Sequence, residues 1–160
     1  MRRAAPDNAK TSMDISGIIP DVRGEVRVRV PFHDVDPANV VWHGHYYKYF
    51  ELARCVLLEK IAYDYDEMAR SGFVWPIVDT RARFVRPVRF NQDIIVRAVL
   101  REWELRLVID YGIVDDAGVE YTRASTTQVP LHTDSLELYL GTPDVLTERM
   151  RRYIESGAAA

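Results

Sequence analysis

The hydrophobic positions of this chain change period twice, and the order of the changes predicts its elements. Over residues 25–32, Val26, Val28, Val30 and Phe32 alternate with Arg27, Arg29 and Pro31, the period of a strand with one face covered. From about residue 45 to 62, Tyr46, Phe50, Ala53 and Leu57 recur at steps of four, three and four, with Lys48, Glu51, Arg54 and Glu59 on the polar sides. That spacing predicts an amphipathic helix whose buried stripe is rich in aromatic rings. From about 74 to 140 alternation returns, as in Ile94, Val96, Ala98 and Leu100, then Leu105, Leu107, Ile109, Tyr111 and Ile113. Residues 115–118, Asp-Asp-Ala-Gly, read as a hairpin turn in which Gly118 takes a positive φ. A strand, a long helix and a run of strands predict an α+β fold, with the helix laid across one face of an antiparallel sheet. Such a sheet leaves an edge or a face open, and a second copy of the chain is expected to cover it.

The two ends show neither period. Residues 1–22 mix charges, small residues and prolines and are expected to form a mobile N-terminal tail, within which Met13 is an alternative start. One domain is expected over 23–155 and a disordered C-terminus over 156–160. A short helix is expected over 142–156, with Thr142 as N-cap, Pro143 at the first helical position, and Arg149, Arg151 and Arg152 toward the end where the helix dipole favours cations.

Composition narrows the classes of function. The 160 residues, 48% of them hydrophobic, suffice for one packed core. A net charge of −3, from 21 basic and 24 acidic side chains, supplies no bulk positive charge for nucleic acid or anionic lipid, so neither is expected as a partner. No apolar run reaches the ~18–20 residues of a bilayer span. The first residues lack the apolar core of a secretory signal, which predicts a cytoplasmic protein. Cys55 is the one cysteine, so no internal disulfide or thiolate zinc site is expected.

Titratable residues concentrate between the first strand and the helix: His33, Asp34, Asp36, Asn39, His43 and His45, including three of the chain's four histidines. Imidazole and carboxylate together suit a divalent metal. Against a metal, the only further histidine is the isolated His132, and metal sites draw ligands from more than one element. A metal-free reading uses Asp36 as nucleophile or base and the helix start near His43 as a source of free backbone N–H groups for an oxyanion.

The run HDVDPANVVWHGHYYKYFELAR, residues 33–54, resembles the active-site signature of the hotdog-fold thioesterases, in the branch of 4-hydroxybenzoyl-CoA thioesterase and the YbgC-type acyl-CoA thioesterases. The matching features are Asp-x-Asp after a strand, a short turn, Val-Val-aromatic, a His, a Tyr, and a helix with Phe-Glu-x-Ala-Arg. The resemblance extends over about residues 25–140 and implies an antiparallel sheet wrapped around one long central helix. It also implies hydrolysis of an acyl-CoA, or acyl-carrier-protein, thioester without metal or redox cofactor, in a homodimer or homotetramer. By the same resemblance Asp36 is the catalytic acid and the residue whose N–H polarises the thioester carbonyl is His43. The family's turn usually carries Gly where this chain has Asn39, a residue that tolerates the left-handed conformation. Two other readings remain beside hydrolysis: a non-catalytic acyl-CoA-binding hotdog module, and a hotdog hydratase or dehydratase.

Other residues carry bland readings as well as functional ones. Asp34 is expected to bond the loop backbone or cap its turn. Glu51, at three residues from both Lys48 and Arg54, is expected to be a surface ion-pair partner, and Cys55 a small buried side chain. Trp42, Tyr46 and Trp75 are candidates to line an acyl site. Of the basic residues Arg81, Arg83, Arg86 and Arg89, the resemblance makes Arg86 and Arg89 candidates for the coenzyme A phosphates, beside a plain reading as charge on a strand edge.

Overall fold

The computed structural model describes residues 13–158. Its elements in chain order are β1 (Arg23–Arg29), α1 (Tyr46–Lys60), α2 (Tyr65–Arg70), β2 (Phe73–Val74), β3 (Ile77–Phe84), β4 (Asp93–Glu102), β5 (Leu107–Val114), β6 (Glu120–Gln128), β7 (Leu131–His132) and α3 (Asp144–Glu155). Five strands form one antiparallel sheet in the order β1-β4-β5-β6-β3, and β2 and β7 form a separate pair. This is the expected α+β, hotdog-like arrangement of a sheet packed on a central helix.

Alternation decides which face of the sheet meets the helix. Ile94, Val96, Ala98 and Leu100 of β4 and Leu107, Ile109, Tyr111 and Ile113 of β5 all point inward and are buried. Helix α1 lies on β1 and β4, presenting Tyr46, Phe50, Ala53 and Leu57 as the periodicity predicts. Phe50 stacks on Tyr111 with ring centroids 5.0 Å apart. The close approach of helix and strand depends on Gly24, where a Cβ would stand 2.2 Å from the Ala53 carbonyl oxygen and 2.7 Å from the Leu57 nitrogen. Both of those atoms are backbone, so neither can move without moving the helix.

Several expectations are corrected at the ends of elements. Phe32, expected on the buried face of the first strand, is 76% exposed. The strand ends at Arg29, and after Pro31 the chain turns into a 3-10 segment, Phe32–Asp34, which breaks the alternation. Leu105 is likewise outside its strand, in a turn with φ +65°. Thr142 does not cap α3: its hydroxyl accepts the Leu105 N–H at 2.8 Å, and Pro143 takes the N-cap position without a side-chain bond. Of the expected tail, residues 1–12 lie outside the described residues, while 13–22 pack on the domain. Ile15 and Val22 are buried in the core, and the Trp103 indole donates to the Ile18 carbonyl at 2.7 Å. Residues 156–158 close α3 in a turn, and 159–160 lie outside the described residues.

The helix covers one side of the sheet and leaves the other bare. β3, bonded only to β6, is exposed along almost its whole length, including Val78 at 58%.

The Gly24 contact yields a direct test. Gly24→Ala overpacks the β1–α1 contact and is expected to cost at least the ~1–3 kcal/mol typical of such substitutions, read as a lower urea midpoint with an unchanged slope. A variant as stable as wild type would mean that the helix does not lie this close to β1.

Candidate active site

The loop between β1 and α1 is a small hairpin tied at several points. Val35 bridges Val41 and Val40 bridges Arg89, and the Val41 N–H donates to the Val88 carbonyl at 2.8 Å. The tip, residues 36–40, closes through the Asn39 N–H to the Asp36 carbonyl at 2.9 Å and the Asp36 N–H to the Val40 carbonyl at 2.8 Å. Asn39 has φ +60°, the left-handed conformation this turn requires and one that Asn adopts at small cost.

Asp34 and Asp36 sit two residues apart in different surroundings. Asp34 is 1% exposed. One of its carboxylate oxygens takes the Lys48 ammonium and the other the Tyr49 hydroxyl at 2.8 Å. Its backbone carbonyl accepts the Trp42 N–H at 3.0 Å and the His45 ring nitrogen Nδ1 at 2.9 Å. A carbonyl can only accept, so His45 carries its proton on Nδ1. Burial pushes the Asp34 carboxyl up, but the bonds from Lys48 and Tyr49 and the Lys48 charge outweigh it, and the group is held below the usual carboxylate range. Burial and the same bond to Asp34 push the Tyr49 phenol far up. Asp34 is structural, but not as expected: its carboxylate bonds Lys48 and Tyr49 of α1, and the loop backbone is bonded by the carboxylate of Asp36 instead.

Asp36 is only half-buried. Its Oδ1 accepts the Ala38 N–H at 2.8 Å and the Val40 N–H at 3.4 Å, and its Oδ2 accepts no hydrogen bond from any described residue. One oxygen is therefore held while the other is open to a reacting group.

The other half of the hairpin leads through Trp42 into a 3-10 turn, His43–His45, that continues directly into α1. The backbone N–H groups of His43 and Gly44 make no hydrogen bond within the described residues. These are the free donors a helix start presents, with the positive end of its dipole behind them. The Trp42 indole folds back over this turn, 4.9 Å from the His43 ring and 5.1 Å from the His45 ring. Gly44 makes room for it, since a Cβ there would fall 2.2 Å from the indole.

The remaining candidates are placed as follows. Tyr46 is buried, its hydroxyl accepts the Val88 N–H at 3.4 Å, and its ring lies 4.7 Å from that of Phe84. Trp75 sits beyond the far end of α1, where its indole donates to the Tyr63 hydroxyl at 3.0 Å. Its ring lines an apolar groove of about 470 Å³ with Tyr65, Met68, Phe73 and Leu131. Arg86 donates to the Glu120 carbonyl at 2.8 Å, whereas the Arg89 guanidinium has no partner among the described residues. Asp36, Trp42, His43 and Tyr46 thus share one end of α1, and Trp75 stands apart from them.

Glu51 is committed elsewhere. Both its oxygens take the buried Arg54 guanidinium, and one also accepts the Tyr65 hydroxyl at 2.9 Å. Its expected ion pair forms with Arg54, while Lys48 goes to Asp34 instead. Among the described residues no group of three or more His, Cys, Asp or Glu side chains could hold a metal ion. The nearest approach is Asp34 with His33 and His45, and the Lys48 ammonium occupies the oxygen those histidines approach. The roles of Lys48 and Tyr49 were invisible in the sequence, since they reach Asp34 across 14 and 15 residues, and that of Gly44 was missed. The one signal was the Gly wedged between two histidines beside a Trp.

Replacing the buried carboxylate gives a stability test with a defined pH dependence. Asp34→Asn is expected to lower stability near neutral pH by about 1.5–3 kcal/mol, the range for hydrogen bonds to a charged group. The folded carboxyl titrates below its unfolded value of ~3.9, so its contribution is complete above that pH and fades as pH falls through the folded value. Urea denaturation at pH 7 and at pH 3 checks this, and the gap between wild type and variant should narrow at the lower pH.

Comparison with known proteins bears on the family and the fold. The sequence profile of the thioesterase-like superfamily matches residues 30–148. A protein from Bacillus subtilis provisionally named an acyl-CoA thioesterase is 21% identical over 69% of this chain and 80% of its own length. A Synechocystis protein provisionally named an esterase is 33% identical over 49% of this chain, but the match spans only 47% of that relative. The DHNA-CoA thioesterase of Staphylococcus aureus superposes with a TM-score of 0.74 at 20% identity, covering 86% of this chain and 91% of the other. A mutant 4-hydroxybenzoyl-CoA thioesterase in complex with 4-hydroxybenzoyl-CoA superposes at 0.69 and 21%, covering 80% and 98%. At these identities the superpositions speak to the fold, and the profile speaks to the family: this chain belongs to the thioesterase-like superfamily.

Proposed function

We propose that this chain hydrolyses the thioester of an acyl-CoA, or of an acyl-carrier protein, to the free acid and the thiol. The observation that carries the reading is the half-free Asp36 carboxylate on the same hairpin as a helix start with two unpartnered N–H groups. A thioester carbonyl is electrophilic and its thiolate leaves readily, so the reaction needs a carboxylate and oxyanion donors and no strong acid. Asp36 either attacks the carbonyl carbon through its open oxygen, giving an anhydride that water then cleaves, or takes a proton from the attacking water. The His43 N–H, with Gly44 beside it, stabilises the oxyanion, a contribution worth ~100–1,000-fold in rate for a single donor. Trp42, exposed beside these donors, offers an apolar wall to the acyl group. Arg89, unpaired and bridged to the loop, supplies charge for the phosphates. Arg86, already bonded to a backbone carbonyl, is the weaker candidate for that role, and Trp75, in a groove that none of the other site residues lines, is the weakest candidate for an acyl contact. The chemistry needs no metal or redox cofactor. No helix among the described residues is long and apolar enough to cross a membrane, and we place the protein in the cytoplasm, where coenzyme A thioesters are made and used.

Thiol release from a panel of aromatic, short-chain and long-chain acyl-CoAs tests the reading. Asp36→Asn is expected to fold normally by circular dichroism and to lose at least about 100-fold in kcat, whereas Glu51→Gln should keep most of its activity wherever it remains folded. Binding without turnover would indicate a non-catalytic module, and an enoyl product from a 3-hydroxyacyl thioester would indicate a hydratase.

The bare β3 edge supports self-association. An exposed strand with apolar Ile77, Val78 and Phe84 is a template for pairing, and a second copy related by two-fold symmetry satisfies it edge to edge. We propose a homodimer or a homotetramer. Light scattering coupled to size exclusion is expected to report at least twice the chain's 18.5 kDa, and a monomer at micromolar concentration would refute it.

A further inference from the structure

We propose that the exposed ring pair Phe32–Phe90, with Arg89 beside it, seats the adenine nucleotide of coenzyme A, making the chain selective for coenzyme A thioesters over carrier-protein thioesters. The inference rests on the thioesterase reading and names the carrier of its substrate.

Phe32 is the most exposed aromatic residue among those described, and Phe90 is 44% exposed. Their rings meet edge to face, with centroids 5.7 Å apart and planes at 86°. Neither ring belongs to the core, so two large apolar side chains are held together at the surface, the kind of feature that marks a binding surface. Their backbones are firmly placed. The Asn91 N–H donates to the Val30 carbonyl and the Val30 N–H to the Gln92 carbonyl, each at 3.0 Å, and the Arg89 N–H donates to the Gln92 side chain at 3.0 Å. The platform is therefore preorganised, which lowers the entropy lost on binding.

The pair adjoins the reaction loop on both of its strands. Phe32 begins the 3-10 turn that runs into Asp34 and Asp36. Arg89 forms the bridge to Val40, whose N–H holds the Asp36 carboxylate. The four-residue step from Phe32 to Asp36 spans at most about 14 Å, within the length of an extended phosphopantetheine arm. An open aromatic face takes a purine by stacking, and an unpaired guanidinium takes phosphate oxygens in its planar fork. Adenine nucleotide chemistry asks for both at once. A carrier protein delivers phosphopantetheine with a phosphate and no purine, so its thioester would leave the rings bare. A second copy pairing along β3 would leave them bare too, because Phe32 and Phe90 flank β1 and β4 at the other side of the sheet.

The test titrates adenosine 3′,5′-bisphosphate into the full chain by calorimetry, for wild type and for the double variant Phe32→Ser, Phe90→Ser, with thermal melts confirming that both fold. Wild type is expected to bind, and the double variant to bind at least about tenfold more weakly, as loss of a base–aromatic stack entails. In parallel, for the acyl group that the panel selects, the ratio of kcat/KM on the acyl-CoA to kcat/KM on the matching S-acyl-pantetheine should fall by a similar factor in the variant. No binding by wild type, or equal binding by both proteins, overturns the proposal. An altered particle mass with unchanged bisphosphate affinity assigns the rings to a contact between copies and overturns it equally. Bisphosphate binding that depends on the rings, in a chain that cleaves no thioester, would keep the nucleotide seat and remove the thioesterase reading instead.

Discussion

The buried carboxylate of Asp34 is the interaction on which the rest of the site depends. Removing a carboxylate from water costs several kcal/mol unless charge and hydrogen bonds replace the lost hydration. Here the replacement comes from Lys48 and Tyr49, both on α1, while the backbone carbonyl of the same residue binds Trp42 and His45 at the helix start. One residue thereby joins the incoming arm of the hairpin to its outgoing arm and to the helix. Were it released, the Asp36 turn and the N–H groups of His43 and Gly44 would be joined only by the backbone bridges of the hairpin and its bond to Val88.

The helix itself is positioned by a different constraint, the absence of a side chain at Gly24. Because the backbone of α1 presses on that point of β1, the helix is confined to the β1–β4 side of the sheet, and the aromatic side chains at its N-terminal end reach across toward the other strands. The same confinement leaves β3 uncovered. The placement that brings the helix start to the β1–α1 loop is therefore also the placement that exposes an edge, and the second copy proposed above answers that exposure.

Much of this was legible in the sequence because it depends on period. The inward sets of β4 and β5 and the buried stripe of α1 follow directly from alternation and from the helical repeat. The left-handed Asn39 was legible from residue type alone. What periodicity cannot supply is where an element stops. Phe32 continues the alternation of Val26, Val28 and Val30, yet the turn after Pro31 sends it outward, and Leu105 fails at the start of β5 for the same kind of reason. The partners of Asp34 were hidden because they lie on another element, and a polar side chain shows no period that reveals a long-range bond. Ile15 and Val22 were hidden because isolated apolar residues in a polar stretch read as tail until the groove that receives them is known.

The Asp-x-Asp pair shows how one motif divides its labour by hydrogen-bond capacity. At Asp34 both oxygens are occupied by donors from the helix, which fixes structure and leaves nothing to react. At Asp36 the donors are backbone N–H groups of its own turn, and they occupy one oxygen only. The difference arises from direction along the hairpin: the residue nearer β1 faces the helix and is buried, while the residue at the tip faces outward and is half-buried. A carboxylate in the role proposed for Asp36 must be held and also left open, and a tip turn does both, since the donors that orient it come from its own backbone. The buried partner two residues earlier ties the arm that carries this turn to α1.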